Sequence, residues 1–417
     1  MRNMNRLVLI LFMGLVLSCQ EKKSSERAQE DTQISTRDSL TRELNQIHEA
    51  GFINGFGVAL VNQDGILYEA GIGFSDMEGK RAYTENTIQN IGSVSKTLIG
   101  IALLKAQEMG KLNLDDPINQ YLPFKVNNPN YPKLPLTIRH LATHTSTILD
   151  TDFYNAKAYV LKDEQEKSNP DSVKLNENFN APDSHMPMID FLEKVLSKKG
   201  EWYGKDGFSQ NKPGEIYEYS NVGATLAGAI LEIAVQKPYS EFTKAHILEP
   251  LGMSSSGWAF ENIDLTQHSK LYSDPKTEIP WYSLITYPDG GLITSSNNLG
   301  IYLSELIKGH SGGGTLLQKE SYDELFREQL PAGSFPERDE EDDYDDEYNT
   351  GIFMGFTPRG YIGHTGGDPG IATYMFFNPE TKIGRILIIN TSVSNSGGVD
   401  EFYSIWNTLG KYENKLK

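Results

Sequence analysis

Ser93 and Lys96 stand three residues apart in Ile91-Gly92-Ser93-Val94-Ser95-Lys96-Thr97-Leu98-Ile99-Gly100, at the head of an apolar run. Three residues is close to one helical turn, so both side chains fall on one face. A serine hydroxyl is a weak nucleophile until a neighbouring base takes its proton. A lysine can act as that base only if its pKa falls. Moving it from about 10.4 to about 7 requires about 4.6 kcal/mol, at about 1.36 kcal/mol per unit. Burial and neighbouring donors must supply that difference. The same spacing recurs at Ser209/Lys212 and Ser273/Lys276. Pro213 follows the second copy and Pro275 lies inside the third. Proline disfavours helix at the residue before it and breaks helix interiors. Only Ser93 leads into a helical pattern, through Leu98, Ile101, Ala102, Leu104 and Ala106, closed by Gly110.

The elements that would hold such a pair belong to a chain of 417 residues, 38% hydrophobic and 23% charged. That is enough for two or three subdomains and a large core, with a globular composition and no solenoid or propeller repeat. The net charge of −18 argues against nucleic acid as a partner, because phosphates demand Lys/Arg surfaces. At the N-terminus Arg2 and Arg6 precede an apolar run from Leu7 to Leu17. This is the layout of a secretory signal peptide, too short for a comfortable membrane span. The run ends in Leu15-Val16-Leu17-Ser18-Cys19, similar to a bacterial lipobox. The expectation is a signal peptide over 1–18 and a lipidated Cys19 as the first mature residue. The protein would be exported and attached to a membrane of the bacterial envelope through that anchor alone; an ordinary signal peptide with an incidental cysteine is the alternative. Cys19 is the single cysteine, so no disulfide constrains the fold. Residues 19–40 are polar and charged and read as a tether, leaving 41–417 as the folded unit.

Within that unit a helix is predicted from Thr36–Asp38 to His48. Gly57–Val61 and Ile66–Ala70 flank Asp64-Gly65 and read as a hairpin. Helical and loop-rich sequence follows over about 105–285, with helices at Val222–Val235 and Tyr239–Leu251. Residues 152–215 read as an insertion carrying one helix, Met188–Leu196. Strands are predicted at Tyr361–His364, Ile371–Phe377 and Gly384–Asn390, and a closing helix at Glu401–Leu409. Strands at both ends with helices between predict an α+β fold. Its antiparallel sheet would be built from both termini (about 41–104 and 286–417), because the connections are short hairpins. A mainly helical part (about 105–285) would be inserted, with the site at the junction.

Three further motifs bear on Ser93: Tyr217-Glu218-Tyr219-Ser220-Asn221, Tyr287-Pro288-Asp289-Gly290-Gly291, and His364-Thr365-Gly366-Gly367. The order S-x-x-K, Y-x-N, [K/H]-T-G resembles the serine β-lactamase and penicillin-binding-protein superfamily, and more nearly its class C and esterase-like branch. Asn86–Pro123, Leu136–Ser146 and Gly363–Pro379 carry the likeness further, over about residues 45–410. The resemblance implies an acyl-enzyme on Ser93, with Lys96 and Tyr219 sharing the base chemistry. Asn221 would hold Lys96 and substrate. The backbone N–H groups of Ser93 and Gly367 would receive the oxyanion, and Thr365, Gly366 and His364 would line the substrate strand. No cofactor or metal is implied. The substrate would be a small ester, amide or peptidoglycan-like molecule; nothing in the sequence sets the oligomeric state.

His364 departs from the family pattern, where most penicillin-binding members carry lysine. Histidine, with a reference pKa near 6.5, is mostly neutral at pH 7 and should anchor carboxylates weakly. This tilts the reading towards an esterase, amidase or peptidase, with β-lactamase or D-Ala-D-Ala carboxypeptidase activity as one alternative and a non-catalytic envelope-binding protein as another. His140 and His144, four apart, could share a helix face and bind a metal, but the resemblance makes them a structural turn. Asp289-Gly290-Gly291 reads as a tight turn beneath the site. Asp368, before Pro369-Gly370, reads as a turn residue rather than a triad member. Glu337–Glu347 carries nine acids and one arginine. It reads as a solvated, mobile loop rather than a calcium site, since it lacks the spaced ligands and glycine of an EF-hand.

Overall fold

The computed structural model of the chain describes residues 33–162 and 179–416, apart from Glu337, Glu340 and Asp342. The expected signal peptide, Cys19 and most of the tether lie outside the described residues.

The sheet has eight strands: β1 Gly55–Asn62, β2 Gly65–Asp76, β3 Arg81–Ala82, β4 Asn349–Thr350, β5 Gly355–Phe356, β6 Ile362–Asp368, β7 Ile371–Asn378 and β8 Ile383–Ile389. Their order is β4-β5-β6-β7-β8-β1-β2-β3, and every neighbouring pair is antiparallel. The two ends of the chain meet at β1 and β8, where Phe56 faces Ile389 and Val58 faces Leu387. The helices that matter here are α1 (33–48), α2 (Lys96–Glu108), α3 (Asn221–Val235), α4 (Ser296–His310) and α5 (Ser396–Tyr412).

Period-two alternation gives the sheet two buried faces. Phe56, Val58, Leu60, Leu387 and Ile389 pack under α1 and α5, against Leu40, Leu44, Phe402, Ile405, Trp406 and Leu409. The intervening Ala59, Val61, Ile386 and Ile388 face the larger core with α2, α3 and α4. This is a β-lactamase-like architecture, with a large antiparallel sheet flanked by helices.

Several elements differ in extent from their expectation. The described part of α1 starts at residue 33, inside the stretch expected as a tether, and is anchored by the fully buried Leu40 and Leu44. The helix expected over Tyr239–Leu251 runs Tyr239–Thr243 and continues as a π-type turn over Lys244–Leu248. The helical stretch also holds two small ladders, Tyr159–Leu161 with Tyr282–Leu284 and Leu271–Asp274 with Thr277–Ile279. Short pairings of this kind leave little periodic signal in sequence.

Candidate active site

Ser93 lies on the 3₁₀ turn Gly92–Ser95, which leads directly into α2. The turn is pinned from below: Ile91 N–H donates to the Leu292 carbonyl (3.1 Å) and Leu292 N–H to Ser95 Oγ (3.1 Å). Gly92 adopts φ +55°, and a Cβ there would lie 2.8 Å from the Gly367 nitrogen, so glycine is required for this approach. The other S-x-x-K copies hold no such place. Lys212 pairs with Glu215 in an exposed turn, and Ser273–Lys276 spans the end of a strand and its turn.

Lys96 is completely buried and its Nζ has three partners: Ser93 Oγ (2.9 Å), Asn221 Oδ1 (2.6 Å) and the Asp289 carbonyl (2.7 Å). The two carbonyl-type oxygens can only accept. A neutral amine therefore gives its two protons to them and turns its lone pair to Ser93. Burial pushes the Lys96 pKa down, while Asp289, Asp150, Asp368 and Asp346 oppose that shift.

The Asn221 orientation is set by Asp150, which the sequence reading did not single out. Its carboxylate accepts from Asn221 Nδ2 (2.7 Å), Asn221 N–H (3.0 Å), Val222 N–H (2.9 Å) and Ser220 Oγ (3.3 Å). A carboxylate facing Nδ2 leaves Oδ1 facing Lys96. The same contacts cap the N-terminus of α3, where donors lack intrahelical partners. Asp150→Ala should therefore cost about 2 kcal/mol in a denaturant melt, the scale of a lost cap with charge-assisted bonds, and lower kcat as well. Unchanged stability and turnover would remove Asp150 from the site.

Tyr219 is within hydrogen-bonding reach of Ser93, and its ring centroid is 5.0 Å from Lys96 Nζ. Burial holds its phenol well above the ordinary value, despite the Ser93 contact, so it rests protonated. His144 stacks on Tyr219 (4.6 Å, 27°) and accepts from the Ser220 N–H at Nδ1 (3.1 Å). Burial, with Lys96 and His364 nearby, holds His144 well below the histidine range. His140 and His144 do not share a helix face. The helix ends at Ala142, His140 forms a capping box with Thr137, and His144 follows at φ +51°. Among the described residues no group of three or more His, Cys, Asp or Glu could hold a metal ion.

β6 packs edge-on against the serine turn. A Cβ on Gly366 would stand 2.2 Å from the Ile91 carbonyl oxygen and 3.1 Å from the Ser93 nitrogen. Thr365 N–H donates to Asp346 rather than to β7. N–H groups two apart on a strand point the same way. Gly367 N–H thus faces the same free edge, beside Gly92 and the first-turn N–H of Ser93. Two convergent donors at that place suit an oxyanion.

Thr365 already holds a carboxylate, with His364 beside it. Asp346 accepts from Thr365 N–H (2.5 Å) and Thr365 Oγ1 (3.0 and 3.2 Å), and lies 3.2 Å from His364 Nδ1. His364 Nδ1 is also 2.6 Å from the Thr365 carbonyl, so that nitrogen carries the proton. Burial keeps His364 below its ordinary value, Asp346 opposing and Lys96 assisting. The acidic loop was expected to be solvated. Asp346 instead turns inward, only 12% exposed, because the β6 edge offers it donors.

Asp289 and Asp368 lie beneath. Asp289 uses its carbonyl for Lys96, and its carboxyl accepts from Thr225 Oγ1 (2.8 Å) and Tyr154 (3.0 Å). Burial raises it to about 6, against the pull of Lys96. Asp368, hydrogen-bonded by Tyr159, is raised by burial to about 7. Neither contacts a histidine as a triad acid would.

Ser93, Lys96 and Tyr219 come together where the antiparallel sheet of this β-lactamase-like fold meets its helical region. The chain belongs to the beta-lactamase family, whose model matches residues 40–410. PbpX of Bacillus subtilis (strain 168) is 25% identical over 405 residues, 95% of this chain and 82% of that one. Protein flp of Staphylococcus aureus (strain MW2) is 23% identical over 346 residues, 82% of this chain. The chain spans 60% of the length of that relative. Among solved structures, D-amino acid amidase from Ochrobactrum anthropi SV3 superposes with a TM-score of 0.61 at 19% identity, covering 89% of this chain and 99% of that one. Among the described residues no helix is long and apolar enough to cross a membrane.

Proposed function

We propose that this protein is a serine hydrolase that cleaves an ester or amide bond through an acyl-enzyme on Ser93. The observation that carries the reading is the Lys96 amine. Its two protons are claimed by Asn221 Oδ1 and the Asp289 carbonyl, and Ser93 Oγ stands 2.9 Å away as the third partner. Ser93 Oγ attacks the carbonyl carbon while its proton passes to Lys96 Nζ. The oxyanion forms between the N–H groups of Ser93 and Gly367. The C–N or C–O bond then breaks, and the protonated Tyr219 hydroxyl, recharged from Lys96, supplies the leaving group's proton. Water attacks the acyl-enzyme with Lys96 and Tyr219 taking its proton, and Ser93 is regenerated. His364, Thr365, Gly366 and Gly367 form the substrate edge. The amide chemistry in the name of the D-amino acid amidase neighbour supports this class. The reading retains a signal peptide over 1–18, a lipid anchor at Cys19, and an envelope location.

Intact-mass labelling with a fluorophosphonate and with a penicillin tests the proposal. One fluorophosphonate adduct is expected on wild type and none on Ser93→Ala. Equal labelling of the two proteins would overturn it. A long-lived penicillin adduct at Ser93 would favour the peptidoglycan-enzyme alternative, and no Ser93 adduct from either probe would favour the binding protein.

A further inference from the structure

We infer that Asp346 is a built-in occupant of the carboxylate-binding place on the β6 edge, and that the enzyme acts on esters and amides that are neutral beside the scissile bond. This rests on the Ser93 hydrolase reading and names its substrate class.

Two donors converge on Asp346, Thr365 N–H and Thr365 Oγ1, and the His364 ring lies beside them with Nδ1 3.2 Å away. Together they form a carboxylate-binding nest, the kind of site that a backbone N–H and a hydroxyl make well. The nest lies two residues from the Gly367 N–H on one strand edge, about 7 Å at about 3.4 Å per residue. One substrate residue held at Ser93 spans such a distance. A substrate carboxylate reaching this edge would find the donors taken and a like charge in place.

The occupant is built in by its backbone as well as its side chain. A Cβ on Gly355 would meet the Asp346 carbonyl oxygen at 2.5 Å and its Cβ at 2.8 Å, so glycine in β5 makes room for Asp346. Glu347, the next residue, bridges to Phe356 of β5. Arg359 pairs with Asp343, and the Asp345 carboxylate accepts from the N–H groups of Asp339 and Glu347. The Gly355, Phe356 and Arg359 contacts tie the end of the acidic segment to β5 and the turn after it, while the Asp345 bonds fold the segment on itself. Asp150, Asp289 and Asp368 lie close enough to act on Lys96, and the Lys96 amine is already committed to Asn221 Oδ1 and the Asp289 carbonyl.

Benzylpenicillin and its methyl ester differ at the carboxylate and test the inference as acylating probes of Ser93, read by intact mass. Wild type should be acylated about tenfold or more faster by the methyl ester, since like-charge juxtaposition costs several kcal/mol. Asp346→Ala should shift the ester-to-acid ratio at least about tenfold towards the free acid, with Asp346→Asn, which keeps the shape and removes the charge, shifting it in the same direction. Fluorophosphonate labelling shows that each variant is folded; should Asp346→Ala fail that check, Asp346→Asn decides. A wild-type preference for the free acid, or a ratio unchanged in the labelled variants, overturns the inference alone. Absence of every Ser93 adduct overturns the hydrolase reading and this inference with it.

Discussion

Lys96→Met should lower the rate of Ser93 acylation by about 10²- to 10⁴-fold, the range of a lost general base. The stability cost should be about 1–3 kcal/mol: methionine fills the buried stem, but Asn221 Oδ1 and the Asp289 carbonyl lose their donor. The pair of measurements is a stopped-flow burst with an activated ester such as p-nitrophenyl acetate and a thermal melt. Lys96→Arg should fail to restore the burst, because guanidinium does not deprotonate and has no lone pair to offer Ser93. A Lys96→Met burst within a few-fold of wild type would show that another group takes the Ser93 proton.

Gly366→Ala should disable the site by geometry. Its Cβ would lie 2.2 Å from the Ile91 carbonyl oxygen, which is backbone and cannot swing aside. β6 and the serine turn must separate, which moves the Gly367 N–H away from the Ser93 N–H. Loss of one oxyanion donor lowers turnover about 10²- to 10³-fold, and overpacking costs about 1–3 kcal/mol. Gly367→Ala is the packing control: a Cβ there meets no protein atom within 4 Å, so its stability should stay near wild type. Chemical denaturation of the two variants should therefore diverge, with steady-state hydrolysis read on Gly366→Ala. Equal, mild effects would mean that the close approach of β6 to Ile91 is not required for catalysis.

The two experiments probe different levels of one design. Lys96→Met tests the proposed base, while Gly366 and Gly92 are the positions where the serine turn and β6 come close. Asp150 links the levels: by capping α3 it fixes the Asn221 amide, and the amide leaves the Lys96 lone pair facing Ser93.

Local sequence made much of this legible. Ser93 and Lys96 are one turn apart, the competing S-x-x-K copies are broken by Pro213 and Pro275, and alternation in Gly57–Val61 and Ile371–Phe377 marks half-buried strands. Tyr219 and Asn221 could be found because they sit two apart at a helix start, and Gly366-Gly367 because glycine pairs in a strand invite close approach. These are signals within a few residues, where backbone geometry alone relates one side chain to the next.

Asp150 and Asp346 were not legible. Asp150 reaches Asn221 across 71 residues of chain, and Asp346 reaches Thr365 across 19. One acid in an ordinary turn and one of nine in a charged run carry no mark of their partners. The sequence alone determined the Ser93–Lys96 pairing and the strands and helices that carry it, because those depend on local spacing and periodicity. Only the tertiary structure decided which carboxylate orients Asn221 and which fills the His364–Thr365 edge, because hydrogen-bond partners are chosen by proximity in space after the sheet closes.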